Sequence, residues 1–194
     1  MAQPLILPQC ILLERKNLKR FVKIRSARNS DLQTILKLVN DEAEKTSGIT
    51  VLRVSPEEVG AWINSGLAYV AEFDGEIIGH VSINSWKKLR YGELRSFVVI
   101  DKYRMLGIGS LLLSQIIQDV IDYHAEIDVL IAFSMNELSR PYGIFDSLGF
   151  DKIAFSNLLL LLQKSKEGSI SKKVYVKQLS LIRWSKRRWY NNGR

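Results

Sequence analysis

Arg104, Gly107, Gly109 and Ser110 stand in the order Arg-x-x-Gly-x-Gly-Ser, between a β-rich run that ends at Ile100 and a long apolar segment from Leu111. Glycine lets a backbone come close to a ligand. The first N–H groups of a helix have no intrahelical partner. Together these features make a backbone site for an anion, and a pyrophosphate suits it. The same spacing also serves as a tight strand-to-helix turn. It differs from two common phosphate fingerprints, because no Lys-Ser/Thr pair follows the glycines and no third glycine completes G-x-G-x-x-G.

Other residue types with chemistry in them are few. Glu93 stands at the start of the run before the glycines, where a solvated strand-end carboxylate is the plain reading. Asn136 follows a later strand, where an amide bonds a ligand or caps a helix. Ser134 either faces the reacting group or ends that strand. His80 sits in a β-run and reads as a packed histidine. Cys10, the one cysteine, lies in an apolar stretch and reads as a small buried side chain. It has no partner for an internal disulfide. No Cys/His cluster has metal-ligand spacing, so no metal is expected.

The elements that must position these residues follow from periodicity and turn chemistry. Val22–Ala27 reads as a short strand. Ser30-Asp31-Leu32-Gln33 reads as a capping box before Leu32, Ile35, Leu36, Leu38 and Val39 at helical spacing. Ser55-Pro56-Glu57-Glu58 is a second box, with Pro56 at the first helical position. Leu67–Phe73 and Glu76–Asn84 are strands joined by Asp74-Gly75, a strong hairpin signal. Gly92–Ile100 is the next strand. The helix after the glycines carries Leu111, Leu112, Ile116, Ile117, Val120 and Ile121 on its core side. Asp128–Phe133, Asp151–Leu162 and Val174–Ile182 read as strands, and Leu138–Leu148 as a helix with an irregular start at Pro141 and Gly143. The order is that of a mixed α/β sheet flanked by helices in a single domain with short extensions. Residues 1–21 read as an N-terminal extension, 22–162 as the domain and 163–194 as a basic C-terminal extension.

Composition narrows the class. Hydrophobic residues make up 46% and charged residues 25%, which excludes a disordered or fibrous chain. The longest aliphatic run, Leu158–Leu162, is far too short to span a bilayer. The N-terminus has no basic region ahead of its apolar stretch, so it does not read as a secretory signal, and the cytoplasm is the default location. The net charge of +8 sits in the termini: residues 151–194 hold 11 basic and two acidic side chains, whereas residues 23–150 are net acidic. A nucleic-acid footprint over the whole surface is therefore not expected. The stretch Arg183–Tyr190 mixes basic and aromatic residues, a composition that suits nucleic acid or an anionic surface as well as a solvated extension.

The segment Phe97-Val98-Val99-Ile100-Asp101-Lys102-Tyr103-Arg104-Met105-Leu106-Gly107-Ile108-Gly109-Ser110-Leu111-Leu112 resembles motif A of the GNAT N-acetyltransferases, with its Arg/Gln-x-x-Gly-x-Gly/Ala core complete. The flanks are similar too, from the hairpin Ala68–Ile83 to Phe145-Asp146-Ser147-Leu148-Gly149-Phe150. The likeness covers roughly residues 22–155. It implies a splayed sheet with acetyl-CoA as acetyl donor. The backbone from Arg104 through Met105, Leu106, Gly107, Ile108 and Gly109 to Ser110 would hold the pyrophosphate. Main-chain groups of Val98, Val99 and Ile100 would bond the pantetheine in the opening beside Asp128–Phe133 and polarise the thioester carbonyl. Asn136 and Phe145 would join the cofactor contacts.

The resemblance further implies direct attack of a neutral amine on the thioester, without a covalent enzyme intermediate. About a tenth of a free α-amine is neutral at pH 7, against roughly 1 in 2,000 for a lysine. Glu93 is the candidate base. Many members place a tyrosine four residues before the Gly-Phe pair as acid to the thiolate. Phe145 stands there instead, and Tyr142, one helical turn earlier, is the candidate for that role or a core residue. A thiolate with a near-ambient pKa also leaves unassisted.

The stretches Thr50–Glu58 and Gly92–Val99 resemble the acetyltransferase domain of N-acetylglutamate synthases, which often carry Phe at the tyrosine position. That likeness implies that Arg53 clamps a carboxylate of the acceptor. Arg95 and Arg140 are further candidates, otherwise surface arginines. The expected substrate is an amino acid or other small amine, with glutamate one candidate. The alternative is a protein or RNA-associated acceptor found by the basic tail. A homodimer fits the family habit, and a non-enzymatic module on the same scaffold is the third reading.

Overall fold

The computed structural model describes residues 10–15, 18–48, 50–135, 144–145, 147–148, 150–153 and 179–185. They fall into two compact units. The first holds residues up to Asn84 together with Leu94–Ala125. The second holds Ser85–Glu93 and the chain from Glu126 onward.

The first unit is built on strands β1 (Cys10–Arg15), β2 (Leu18–Ser26), β3 (Ala68–Phe73) and the greater part of β4 (Glu76–Trp86) and β5 (Tyr91–Val99), neighbours in that order. β1 and β2 form an antiparallel hairpin, with Cys10 opposite Lys23 and Arg15 opposite Leu18. Thus the expected first strand starts four residues earlier, at Leu18, and Cys10 is a strand residue. Asp74 and Gly75 both take positive φ (55° and 77°), as the β3–β4 turn requires, with Phe73 opposite Glu76.

Three helices cover this sheet: α1 (Leu32–Lys45), α2 (Pro56–Asn64) and α3 (Ile108–Tyr123). The Ser55 box forms as its sequence demands: Glu58 N–H donates to Ser55 Oγ (3.3 Å) and Ser55 N–H to Glu58 Oε2 (2.9 Å). The Ser30 box does not form. Asp31 instead accepts from the Arg28 N–H (2.7 Å) and from both terminal nitrogens of Arg25 (2.6 and 3.1 Å), and the chain enters α1 through a 3-10 turn at Asn29–Asp31. A charged partner outweighs a neutral hydroxyl cap. Arg25 also reaches Glu72 on β3 (2.6 Å). The Asp31 carboxyl is held below its ordinary range by that guanidinium, and the Arg25 pKa is raised by Asp31.

β3 is buried on both faces, as a strand between helix layers must be. Ala68 and Val70 join a cluster with Ile35, Val39 and Ala43 of α1 and Val59 and Trp62 of α2. Tyr69 points the other way and donates its hydroxyl to Asp119 of α3 (2.5 Å). On α3 the expected core residues Leu111, Leu112, Ile116, Ile117 and Val120 are buried, with Ile108 and Leu113 in addition, whereas Ile121 is only half-buried. Gly79 on β4 sits where backbone and helix come close: a Cβ there would stand 3.1 Å from Leu112 Cδ1 and 3.2 Å from the Val98 carbonyl oxygen.

In the second unit, β6 (Val129–Met135), β7 (Asp151–Ile153) and β8 (Leu179–Ser185) form an antiparallel set with β8 in the middle. Val129 stands opposite Ser185, and Asp151 opposite Arg183. The last strand therefore extends beyond Ile182, and Arg183, Trp184 and Ser185, read as tail from composition, are strand residues. Local pattern does not show a partner some fifty residues away. Arg90 and Asp128 form a two-point ion pair (2.5 and 2.8 Å). Ile144 and Phe145 are helical, within the expected helix Leu138–Leu148, whose residues 138–143 and 146 lie outside the described set, as do those after Ile153 in the expected strand Asp151–Leu162.

His80 is a titratable residue in the core of the first unit. It is fully buried, its Nδ1–H donates to the Tyr69 carbonyl (3.0 Å), and its Nε2 is buried without a partner. Burial penalises the imidazolium and pulls its pKa down to about 4. The folded pKa lies below the unfolded value near 6.5, so the unfolded chain takes the proton first as pH falls. Stability should drop by up to about 3 kcal/mol between pH 6.5 and 4. Denaturant titrations across that range should show the slope, and a His80→Gln variant should lack it. The Asp31 contribution is lost only at lower pH. Gly79→Ala should cost about 1–2 kcal/mol, because the Val98 carbonyl cannot move freely to admit a methyl; an unchanged denaturation midpoint would contradict the tight approach.

Candidate functional site

The glycine-containing loop leaves β5 through Ile100, whose N–H donates to the Ile78 carbonyl (2.9 Å). A 3-10 turn, Asp101–Tyr103, follows. Arg104 is extended, Met105 is left-handed (φ 62°), and Gly107 is left-handed (φ 80°) at the head of α3. Glycine is the residue that takes this conformation without strain. Met105 takes it at a cost, and strain of this kind gathers at functional sites.

Gly107 brings no side chain to cap α3. No acidic residue stands in the first turn. The first intrahelical bond runs from Leu111 N–H to the Gly107 carbonyl (3.1 Å). The N–H groups of Ile108, Gly109 and Ser110 therefore precede the helical ladder, at the positive end of the dipole of a 16-residue helix. Ile108 is buried, Gly109 and Ser110 are half-buried, and Met105 and Leu106 are exposed. Such an arrangement can take an anion on backbone groups alone, and the first turn of the helix holds no acidic side chain.

The Arg104 side chain turns back into the protein. Its Nε donates to the Val99 carbonyl (2.8 Å), Nη1 meets Asp101 Oδ1 (2.8 Å), and Nη2 donates to Glu42 Oε1 (2.7 Å). Lys45 also pairs with Asp101. Two main-chain groups expected to face the pantetheine, Val99 C=O and Ile100 N–H, thus have protein partners. Val98 is buried in the α1–α2 cluster.

β5 itself is distorted. Ser96 is left-handed (φ 51°) in mid-strand, and the carbonyl just before it, on Arg95, accepts from the fully buried Ser82 hydroxyl (3.2 Å). A distortion of this kind takes backbone groups out of the ladder and re-aims them. Arg95 is half-buried beside it. Earlier on the same strand, Glu93 is half-buried near Tyr91, whose hydroxyl is pushed up to about 12 by burial and then by the Glu93 charge. Tyr91 stacks on Trp86 (centroids 5.9 Å apart).

Arg53 is exposed and pairs with Glu44 (3.0 Å), both open to solvent. Phe145 is buried and packs edge-to-face on Phe150 (5.0 Å). Tyr142, Asn136 and Arg140 lie outside the described residues.

Glu42, Ser82 and Ser96 were not among the candidates. Glu42 had a signal: it falls on the buried face of α1 with Ile35, Val39 and Ala43, an acidic residue where the period calls for an apolar one. Ser96 had none, since nothing in its type announces positive φ.

No helix among the described residues is long and apolar enough to cross a membrane, and no group of three or more acidic, His or Cys side chains among them suits a metal ion. The chain is similar in fold to several solved structures. N-acetylglutamate synthase from Neisseria gonorrhoeae, complexed with coenzyme A and N-acetyl-glutamate, aligns with a TM-score of 0.63 at 22% identity; the match covers 85% of this chain and 35% of that one, so the chain spans about a third of the synthase. Ribosomal-protein-alanine N-acetyltransferase from Brucella melitensis aligns with a TM-score of 0.63 at 22% identity, covering 84% of this chain and 98% of that one. The YncA protein of Salmonella typhimurium, with its cofactor acetyl-CoA, aligns with a TM-score of 0.64 at 21% identity, over 84% and 93%. The family model for the acetyltransferase (GNAT) family matches residues 33–142. That span is more than half of the chain and carries α1, α2, the β3–β5 strands, the distorted Ser96 and the uncapped head of α3: the chain belongs to the GNAT acetyltransferase family.

Proposed function

We propose that this acetyltransferase moves the acetyl group of acetyl-CoA onto the amine of a small, carboxylate-bearing acceptor, with amino acids, glutamate among them, as the first class to test. The uncapped head of α3 carries this reading, because backbone N–H groups behind a left-handed Gly107 donate to a pyrophosphate without side-chain help. Coenzyme A or acetyl-CoA in the related structures supports the donor. N-acetyl-glutamate in the synthase, and the sequence likeness around Arg53, support a carboxylated acceptor.

Acetyl-CoA supplies an activated thioester. The backbone from Arg104 to Ser110 binds its pyrophosphate. Main-chain groups of Val98 and Val99 on β5, other than the Val99 carbonyl that Arg104 holds, bond the pantetheine and polarise the thioester carbonyl. Glu93, directly or through water, takes the proton from the attacking amine. Arg53 exchanges Glu44 for the acceptor's carboxylate. Tyr142 is the proposed acid to the thiolate, and Asn136 and Phe145 complete the coenzyme contacts.

A protein or RNA-associated acceptor is the second reading. The 11 basic against two acidic side chains in residues 151–194 favour it. The two readings separate by truncation after Ser185, which keeps β8 whole.

A thiol-release assay with acetyl-CoA against amino acids, polyamines, aminoglycosides and lysine peptides tests the reading. Turnover should be confined to carboxylated amines and survive loss of residues 186–194. Arg53→Ala should raise the acceptor KM by about tenfold or more, with kcat little changed. Glu93→Gln should lower kcat by roughly a hundredfold or more. Silence across the small molecules, with acetyl-CoA bound, would transfer the reading to a macromolecular acceptor.

A further inference from the structure

A buried carboxylate outside the reaction itself faces the donor loop. Glu42 lies on α1, its side chain 10% exposed, 62 residues before Arg104. A carboxylate that far from water needs a partner. Its Oε1 takes Arg104 Nη2 at 2.7 Å and Thr50 Oγ1 at 3.3 Å. Thr50 also meets Thr46 Oγ1 (2.9 Å), and Thr46 caps the end of α1 by donating to the Glu42 carbonyl (2.8 Å). The connection between α1 and α2 thus closes on the same carboxylate that holds Arg104. Its far end is fixed as well, because Asn40 bonds both the N–H and the carbonyl of Val54 (2.9 and 3.1 Å).

Each guanidinium nitrogen of Arg104 has a protein acceptor. The side chain is therefore a brace for the loop. Next to it stands Met105 at φ 62°, a conformation that persists only when its surroundings over-determine it. Val99 and Asp101 belong to the loop's own entry. Glu42 is the anchor on another element, so it ties the loop to the helix layer.

We propose that Glu42 is a positioning residue for coenzyme A binding. It seats Arg104, Arg104 holds Met105 and Gly107 in their left-handed conformations, and these aim the α3 N–H groups at the pyrophosphate. Through Thr50, the same carboxylate couples the α1–α2 connection to occupancy of the loop. The inference rests on the reading of that loop as the coenzyme A site.

Calorimetric titration with coenzyme A decides it, on the wild type, Glu42→Gln, Arg104→Lys and the double variant, with thermal midpoints recorded alongside. Glutamine keeps the shape and an acceptor oxygen, so the fold is retained. Glu42→Gln should weaken coenzyme A about tenfold. The double variant should bind no more weakly than Arg104→Lys alone, because both changes break one device. In the wild type, coenzyme A should slow amide exchange at residues 50–54, and Glu42→Gln should abolish that response. Equal affinity of Glu42→Gln and wild type, additive losses in the double variant, or no exchange response in the wild type would each overturn the proposal while leaving the coenzyme site standing. A wild type that does not bind coenzyme A would overturn both.

Discussion

The left-handed Gly107 is the constraint on which the donor side depends. It turns the chain sharply enough to start α3 with no capping side chain, and so leaves N–H groups in need of an acceptor. The body of α3 is locked by Leu112, Ile116 and Val120, all fully buried. The head of the helix cannot rotate to satisfy itself. It must meet water or an anion, and a doubly charged diphosphate at the positive end of a helix dipole is the stronger partner. On the proposed reading the acetyl donor is held there by backbone, which asks little of reactive side chains.

The same reliance on backbone shapes β5. Its Ser96 is left-handed where a regular strand would be extended, and a buried hydroxyl on Ser82 takes the carbonyl that the distortion leaves over. Without that hydroxyl the carbonyl would carry a desolvation cost of about 1–3 kcal/mol. Gly79 on β4 lets the neighbouring strand approach under α3. On the proposed reading this strand carries the oxyanion donor, and a preorganised dipole needs no reorganisation at the moment of reaction.

Features decided by neighbours in sequence were legible. The Ser55 box and the Asp74-Gly75 turn need only a few consecutive residues, and the glycine motif is likewise local. The Ser30 box was a sound local reading overturned by a distant guanidinium: Arg25 draws Asp31 into an ion pair, and the helix starts around it. β1 and the extent of β8 were missed because their evidence is a partner strand, not a pattern. Glu42 was legible in principle, as a charge on an apolar helix face, yet its partner lies on another element. Candidates assigned by family likeness alone, Arg53 and Glu93 among them, sit half-buried or exposed, where neighbours in the fold leave their charges near solvent.

Two arginines show how the fold divides labour between fixed and exchangeable charge. The pair Arg53–Glu44 is exposed on both sides, so it is worth about 0–1 kcal/mol and opens readily. An incoming carboxylate has little to displace there. The pair Arg104–Glu42 joins a half-exposed guanidinium to a carboxylate that is 10% exposed, and breaking it strands that carboxylate away from water. Exchange of partners therefore favours Arg53, and rigidity favours Arg104. On the proposed reading the two arginines meet two different needs: a donor loop that keeps its shape through every cycle, and an acceptor contact loose enough to release a carboxylate-bearing product.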